Sequence, residues 1–363
     1  MIGRTLFLYI GWRFIKALIA TMLLLLFLIV TVDFIEGLRR VKDGMDVSVG
    51  QVYLISLYTA PFYIDKAFPF ACLFAAMNTL SQLNQKLELV VARAAGISAW
   101  QFLLPIITAA LIIGALVTTV YNPLSIGLYE TSLDMKAKYL GFRSPTSAQS
   151  KSGYWLRQED ENGSSIINAV LARKGGTLLD SVRIIRFDNE DRVYQIIEAK
   201  NAMHKGDHWT LVDARVTDKD QQVKNLKKFD LPTRISKEYL LGASGNPDAI
   251  SFWDLKNAAE KVAASGLNHL PYLVKYQSLL ALPLLLIAMV VIAATVSLRF
   301  VRFGQAGRMI FGGIFSGFVL YAITRLVTSL GSNGIVSPAV AAWSPALVAI
   351  LFGMSILLFQ EDG

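Results

Sequence analysis

Gln277-Ser-Leu-Leu-Ala-Leu-Pro-Leu-Leu-Leu-Ile-Ala-Met-Val-Val-Ile-Ala-Ala-Thr-Val-Ser-Leu298 runs without a charged side chain. A helix needs about 20 mostly apolar residues to cross ~30 Å of hydrocarbon, so this stretch reads as a membrane span. Residues 335–359 form a second charge-free stretch. Working outward, residues 6–32, 52–83 and 97–121 qualify upstream, and 309–324 lies between the two anchors. Six spans are therefore predicted, three on each side of a polar middle segment.

Composition agrees. Apolar residues make up 54% of the chain and charged residues 17%, where a soluble domain carries about a quarter charged. Between residues 130 and 248 the sequence holds 19 Lys/Arg against 17 Asp/Glu, while the remainder holds 16 against 10. The basic excess thus lies beside hydrophobic segments. That is a mark of membrane topology rather than of a nucleic-acid surface. The one cysteine, Cys72, sits in an apolar stretch and has no partner for a disulfide within the chain. Arg4, Arg13 and Lys16 precede the apolar run 17–32, which lacks a convincing cleavage site, so the first span is expected to stay as an anchor.

Basic residues in short loops set orientation. Arg299, Arg302 and Arg308 follow the fourth span with no acid among them, which places that loop on the cytoplasmic side. The amino-terminal basic residues agree, so both termini are expected inside and the polar middle outside. The segment after the first span is mixed, with Asp33, Glu36, Arg39, Arg40, Lys42, Asp43 and Asp46.

The middle segment reads as β. Residues 182–187 and 192–198 flank the turn-forming run Asp188-Asn-Glu-Asp191, a hairpin pattern. Residues 209–216 partly alternate after a Gly206-Asp207 turn, and 165–172 and 222–229 look like further strands. Several short strands at this spacing suggest a sandwich or jelly roll. Residues 242–247 read as a linker, and 253–264 as a polar helix leading back to the membrane. The domains expected are 1–128 (spans 1–3), 129–250 (external β domain) and 251–363 (linker helix and spans 4–6).

A short cytoplasmic helix is predicted at about 84–96. Leu87, Val90, Val91 and Ala94 fall at helical spacing, Lys86, Glu88 and Arg93 lie elsewhere, and Gly96 is a natural stop. Such a helix docks in a groove on a partner or lies on lipid, and periodicity does not separate the two. Asp65 and Lys66 lie within the second span, where charge is costly and usually faces protein or water; an ion pair at the membrane edge is the simplest reading. Arg325, near the end of the fifth span, reads as a snorkelling side chain. His204 and His208 are four apart in a strand–turn region with no supporting ligand cluster, so no metal is expected. No Gly-x-x-x-x-Gly-Lys loop occurs, so this chain is not expected to bind ATP by that route.

The stretch Leu87-Glu-Leu-Val-Val-Ala-Arg-Ala-Ala-Gly-Ile-Ser98 resembles the lipopolysaccharide export permease family, LptF/LptG, as do Phe68-Pro69 and the Asn122-Pro123 that closes the third span. The Glu-Leu-Val-Val form is nearer the LptG branch. The resemblance implies an α+β membrane protein of the bacterial inner membrane, with six transmembrane helices and a periplasmic β-jellyroll inserted between helices 3 and 4. It implies a permease subunit of an ABC exporter that extracts lipopolysaccharide and passes it through that jellyroll. The implied partners are an LptF-type paralogue, a dimeric LptB-type ATPase, and the periplasmic jellyroll proteins LptC and LptA. ATP and Mg would sit on the ATPase, and this chain would hold no cofactor and no catalytic residue.

By the same resemblance Glu88, with Arg93, couples the permease to the ATPase. Arg39, Arg40, Lys66, Phe68 and Lys136 become candidates for lipopolysaccharide contact, because a phosphorylated head attracts Lys and Arg. The chain departs from the pattern at Phe62 and Asp33, where the family tends to be basic; Lys66, four residues after Phe62, lies on the same helical face. Three other readings stand beside this one: the LptF paralogue, an ion-driven secondary transporter, and a non-transporting scaffold. The charge-free fourth and sixth spans argue against the second, and the scaffold leaves the 84–96 pattern unexplained.

Overall fold

The computed structural model describes residues 3–41, 47–139, 154–160, 163–173, 176–188, 192–218, 223–233, 235, 240, 246–264, 268–298 and 306–362. Lys42, Asp43, Asp46, Arg299, Arg302, residues 189–191 of the predicted turn and 242–245 of the predicted linker lie outside the described residues, as do the side chains of Arg93 and Arg308.

Two helices of equal length open the chain, α1 (Arg4–Arg40) and α2 (Val49–Gln85). The short α3 (Glu88–Ala94) follows, then α4 (Ala99–Leu116), a π-helical turn (Val117–Tyr121) and α5 (Asn122–Tyr139). After the sheet, a 3-10 turn (Pro247–Ala249) leads into α6 (Phe252–Ala264), α7 (Leu270–Ser297), α8 (Ala306–Ser332) and α9 (Pro338–Asp362). Five helical stretches are long and apolar enough to cross a membrane: α1, the continuous Ala99–Lys136, α7, α8 from Phe311, and α9 to Phe359.

The predicted second span is the one that fails that hydropathy criterion. Asp65, Lys66, Asn78, Gln82 and Asn84 dilute it. Yet α2 is the most heavily enclosed element, burying Phe68, Ala71, Cys72, Leu73, Ala75, Ala76, Met77, Leu80 and Leu83. A helix lined by protein rather than lipid has no need to be apolar all round.

The third span does not close at Asn122-Pro123. The helix continues to Tyr139, and the boundary drawn at residue 129 falls inside α5. A proline there cannot donate to the carbonyl four residues back. The π turn absorbs the irregularity, and the indole Nε1–H of Trp253 donates to Thr119 O at 3.1 Å, the carbonyl Pro123 leaves open. The same device recurs in α7. Pro283 orphans the carbonyl of Leu279, and the Thr118 hydroxyl donates to it at 2.8 Å. Beside this bond α4 and α7 approach so closely that a Cβ on Gly114 would lie 2.5 Å from the Pro283 backbone.

Among the described residues the β domain is one six-stranded antiparallel sheet in the order β1 (Tyr154–Asp160), β2 (Gly163–Arg173), β3 (Leu178–Phe187), β4 (Val193–His204), β5 (His208–Asp218) and β6 (Val223–Pro232). The hairpin over Asp188 is β3–β4, paired Ile184 to Ile197. β1 went unread because Arg157, Glu159 and Asp160 mask its alternation. The strands pair consecutively as a meander, whereas a jelly roll interleaves them in two layers.

Two features bend this sheet. The inside–outside alternation slips by one along a single row: buried residues stand three apart at Ala169/Ala172, Leu179/Val182, Ala199/Ala202 and Leu211/Ala214. Ser181 and Asp213 lie on that row with φ of 51° and 53°. Such irregularities crease a sheet and increase its twist. The edge strands also approach each other, for the Thr233 hydroxyl, one residue past β6, donates to Gln158 Oε1 of β1 at 2.6 Å. The buried face holds Ile167, Leu179, Ile184, Ile197, Trp209 and Leu211, in one cluster with Leu255, Ala259 and Val262 of α6. The helix predicted over 253–264 is thus amphipathic rather than merely polar.

Candidate functional site

Three polar clusters stand out against the apolar bundle. The first is at the α3 end. α2 stops at Gln85, so residues 84 and 85 belong to it rather than to the short helix, and Leu87 makes the break with φ 60°. Gly96, at φ 80°, ends the segment in a conformation that suits glycine. Leu89 seats α3 on the bundle core at 5% exposure, while Leu87 and Val91 stay 61% and 68% exposed. Glu88 reaches back to α1. Arg13 Nη1 donates to its two carboxylate oxygens at 3.1 and 3.2 Å, and the Tyr9 hydroxyl donates at 3.1 Å. Arg13 also donates to Tyr9 Oη at 2.9 Å. Sequence reasoning weighed Arg13 only as a topology signal; its partner lies 75 residues away, and no local pattern encodes that.

The second cluster is a cavity of about 230 Å³ between the far ends of α1, α2 and α5. Asp33, Glu36, Arg40, Ser56, Tyr63, Tyr129 and Lys136 line it. Arg39 and Arg40 occupy the last turn of α1 itself, where cations suit the helix C-terminus. Arg40 donates to Glu36 at 3.0 Å, and Arg39 pairs with it more loosely at 3.6 Å. Lys136 pairs with Asp33 at 3.8 Å, so the acid at the departing position is matched by a base on α5. The structure therefore brings together Arg40 and Lys136, with Arg39 on the adjacent exposed face.

Lys66 and Phe68 lie elsewhere. The Lys66 ammonium donates to Asp248 at 2.8 Å and sits 4.7 Å from the Phe62 ring centre. Phe62 in turn stacks on Tyr129 at 4.0 Å, so Lys66 is two rings removed from the cavity. Phe68 is buried with its ring 5.1 Å from Tyr121. The expected Asp65–Lys66 pair does not form, because adjacent residues on a helix point apart. Asp65 instead accepts from Asn122 Nδ2 at 3.2 Å.

This is the third cluster, a junction between the membrane helices and the return from the sheet. Asp248 takes Lys66 of α2 and Lys275 of α7, each at 2.8 Å. Burial alone would raise its pKa, but Lys275 and Lys66 together hold the carboxyl well below the usual carboxylate range. Asn122 Oδ1 accepts the Phe252 N–H at 3.0 Å, capping the start of α6. Neither Asp248 nor Lys275 carries a sequence signal of this role.

The remaining candidates have local explanations. Arg325 donates to Tyr321 Oη at 2.9 Å on an exposed helix face. His204 is buried, its Nε2 2.7 Å from Ile235 O and its ring edge-on to Trp209, while His208 Nδ1 lies 2.5 Å from Asp207. A larger crevice of about 520 Å³ between α7, α8 and α9 is apolar and lined by no charged residue.

Known proteins bear directly on these features. The family described as "Lipopolysaccharide export system permease LptF/LptG" matches residues 8–359. A "Lipopolysaccharide export system permease protein LptG" of Haemophilus influenzae is 25% identical over 350 residues, covering 95% of this chain and 94% of the relative. The protein of that name from Escherichia coli K12 is 24% identical over 356 residues, 96% of this chain and 97% of the relative. Coverage from the first apolar helix to the last embraces all three polar clusters and the sheet. The chain belongs to the LptF/LptG family of lipopolysaccharide export permeases and is a multi-pass inner-membrane protein.

Proposed function

We propose that this chain is the LptG-type permease subunit of an ABC exporter that lifts lipopolysaccharide out of the inner membrane. The observation that carries the reading is the placement of α3: a short helix bonded by Glu88 to α1, with Leu87 and Val91 exposed. It lies at the end of α1 opposite the basic cavity. An apolar ridge on a short helix suits a groove on a partner, here a dimeric LptB-type ATPase that would carry ATP and Mg. Glu88 and Arg93 are the coupling residues of this reading. The lightly buried faces of α1 and α8 suit an LptF-type paralogue.

In this account α2 is the sixth span, shielded by its neighbours, and both termini are cytoplasmic. The cavity between α1, α2 and α5 then opens toward the periplasm, where Arg39, Arg40 and Lys136 meet the phosphorylated head. Lys66 backs its wall through Phe62, which stacks on the lining Tyr129, while Phe68 packs away from it against Tyr121. The creased sheet, the periplasmic β domain of this reading, hands the lipid to LptC and then LptA.

Reconstituting the chain with its paralogue and ATPase in proteoliposomes, and following lipid transfer to a soluble jellyroll acceptor, tests the reading. Transfer should require ATP. Arg39→Glu with Arg40→Glu should impair loading by about tenfold, as expected when charge-assisted phosphate contacts reverse sign, with the complex still assembled. ATP-independent transfer, or collapse of assembly in that variant, contradicts it.

A further inference from the structure

We infer that Arg13 is the positioning residue through which α3 moves α1, so that a push at the coupling helix reaches the periplasmic cavity along a single rod. The inference rests on the reading of Glu88 as the point where ATPase motion enters. What it adds is the path beyond that point.

Three observations carry it. First, α3 does not continue α2. Leu87 stands between them at φ 60°, which leucine rarely adopts. Displacement of α3 is therefore not passed on as axial motion of one continuous helix. Second, the polar anchor of α3 goes to α1. Glu88 accepts from Arg13 at 3.1 and 3.2 Å and from Tyr9 at 3.1 and 3.3 Å, and Arg13 braces Tyr9 at 2.9 Å. Tyr9 and Arg13 are four residues apart, hence on one helical face. With Arg13 17% and Glu88 32% exposed, the pair is partly shielded from solvent.

Third, α1 is a single rod with little of its length enclosed, seated on the core by Ile10, Phe14 and Leu18 on either side of Arg13. Only 11% of its apolar window is buried within the chain, against 56% for α7. It is one helix of 37 residues. From Arg13 to Asp33 it spans about 30 Å at 1.5 Å per residue. Its far end brings Asp33 against Lys136 of α5. Movement of α1 relative to α5 thus changes the Asp33–Lys136 spacing, as expected of a rigid-body gate.

The test is a double-mutant cycle in the complete reconstituted complex, with lipid transferred per ATP hydrolysed as readout and co-purification as the assembly control. Arg13→Ala should lower that ratio about fivefold or more, the range of ordinary coupling energies, with assembly retained. Glu88→Ala should lower it at least as far. The double variant should be no worse than Glu88→Ala alone, because both substitutions remove the same link. Losses that multiply, normal coupling in Arg13→Ala, or lost assembly in that variant overturn the proposal. ATP-independent transfer by the unsubstituted complex instead counts against the function on which it rests.

Discussion

Helices α1 and α7 are both long and strongly apolar, yet 56% of the apolar window of α7 is buried inside the chain and only 11% of that of α1. Hydropathy reports that a helix tolerates lipid; it says nothing of whether lipid or protein covers it. The pair divides the bundle in two. α7, with α2 and α4, makes a fixed core in which proline-orphaned carbonyls are satisfied from neighbouring helices and backbones touch. α1 seats Ile10, Phe14 and Leu18 on that core, adds charged contacts at its two ends, and leaves most of its remaining face uncovered. In the proposed reading the core is the stator and α1 the moving arm, and substitutions on the two sides should behave differently.

The largest effect is expected at the closest core contact. Gly114→Val drives side-chain atoms into the Pro283 backbone and should cost about 3 kcal/mol through overpacking, read as a large fall in thermal stability in detergent. Next comes the junction. Asp248→Asn leaves Lys66 and Lys275 facing each other without their counter-ion and should cost about 2 kcal/mol, less than a fully buried pair because all three groups keep some solvent contact. The pH dependence has a definite sign. The folded Asp248 carboxyl titrates below its unfolded counterpart. Its contribution is therefore full above the ordinary carboxylate pKa of about 4 and fades as pH falls below that. Asp248→Asn should remove this part of the acid sensitivity in melting curves taken from pH 7 to pH 3.

A smaller loss, about 1–2 kcal/mol, is expected for Thr118→Val, which strands the buried Leu279 carbonyl that Pro283 cannot serve; a melting shift near zero would mean the carbonyl finds another donor. Smallest is Gly11→Ala on α1, where a Cβ meets nothing closer than 3.9 Å. Its effect on stability should stay within about 0.5 kcal/mol. A large loss there would erase the distinction between core and arm.

The pattern of what the residues disclosed follows the same division. Charge-free runs such as 277–298 announced spans, and the alternation in residues 182–198 announced a hairpin, because each is a local periodicity. α2 was read as a span on pattern, yet Asp65, Lys66, Asn78, Gln82 and Asn84 leave it outside the five stretches apolar enough to cross a membrane. The continuation through Pro123 was not legible, since the donor that repairs it, Trp253, lies 130 residues on. The strand β5 looked only partly alternating because its phase slips at Asp213, a row-wide crease that becomes visible once the neighbours are in register. Among the proposed contacts, Glu88, Arg39, Arg40 and Lys136 were singled out through the family resemblance. Arg13, Lys275 and Asp248 were not found as site residues, because an ion pair between distant elements has no sequence spacing.

The most direct test of the account is lipid transfer per ATP by the reconstituted complex carrying Glu88→Ala. The account predicts a fall of about tenfold or more, the loss of one directional charged link, with the ATPase still bound. Undiminished, ATP-driven transfer from that variant would contradict it.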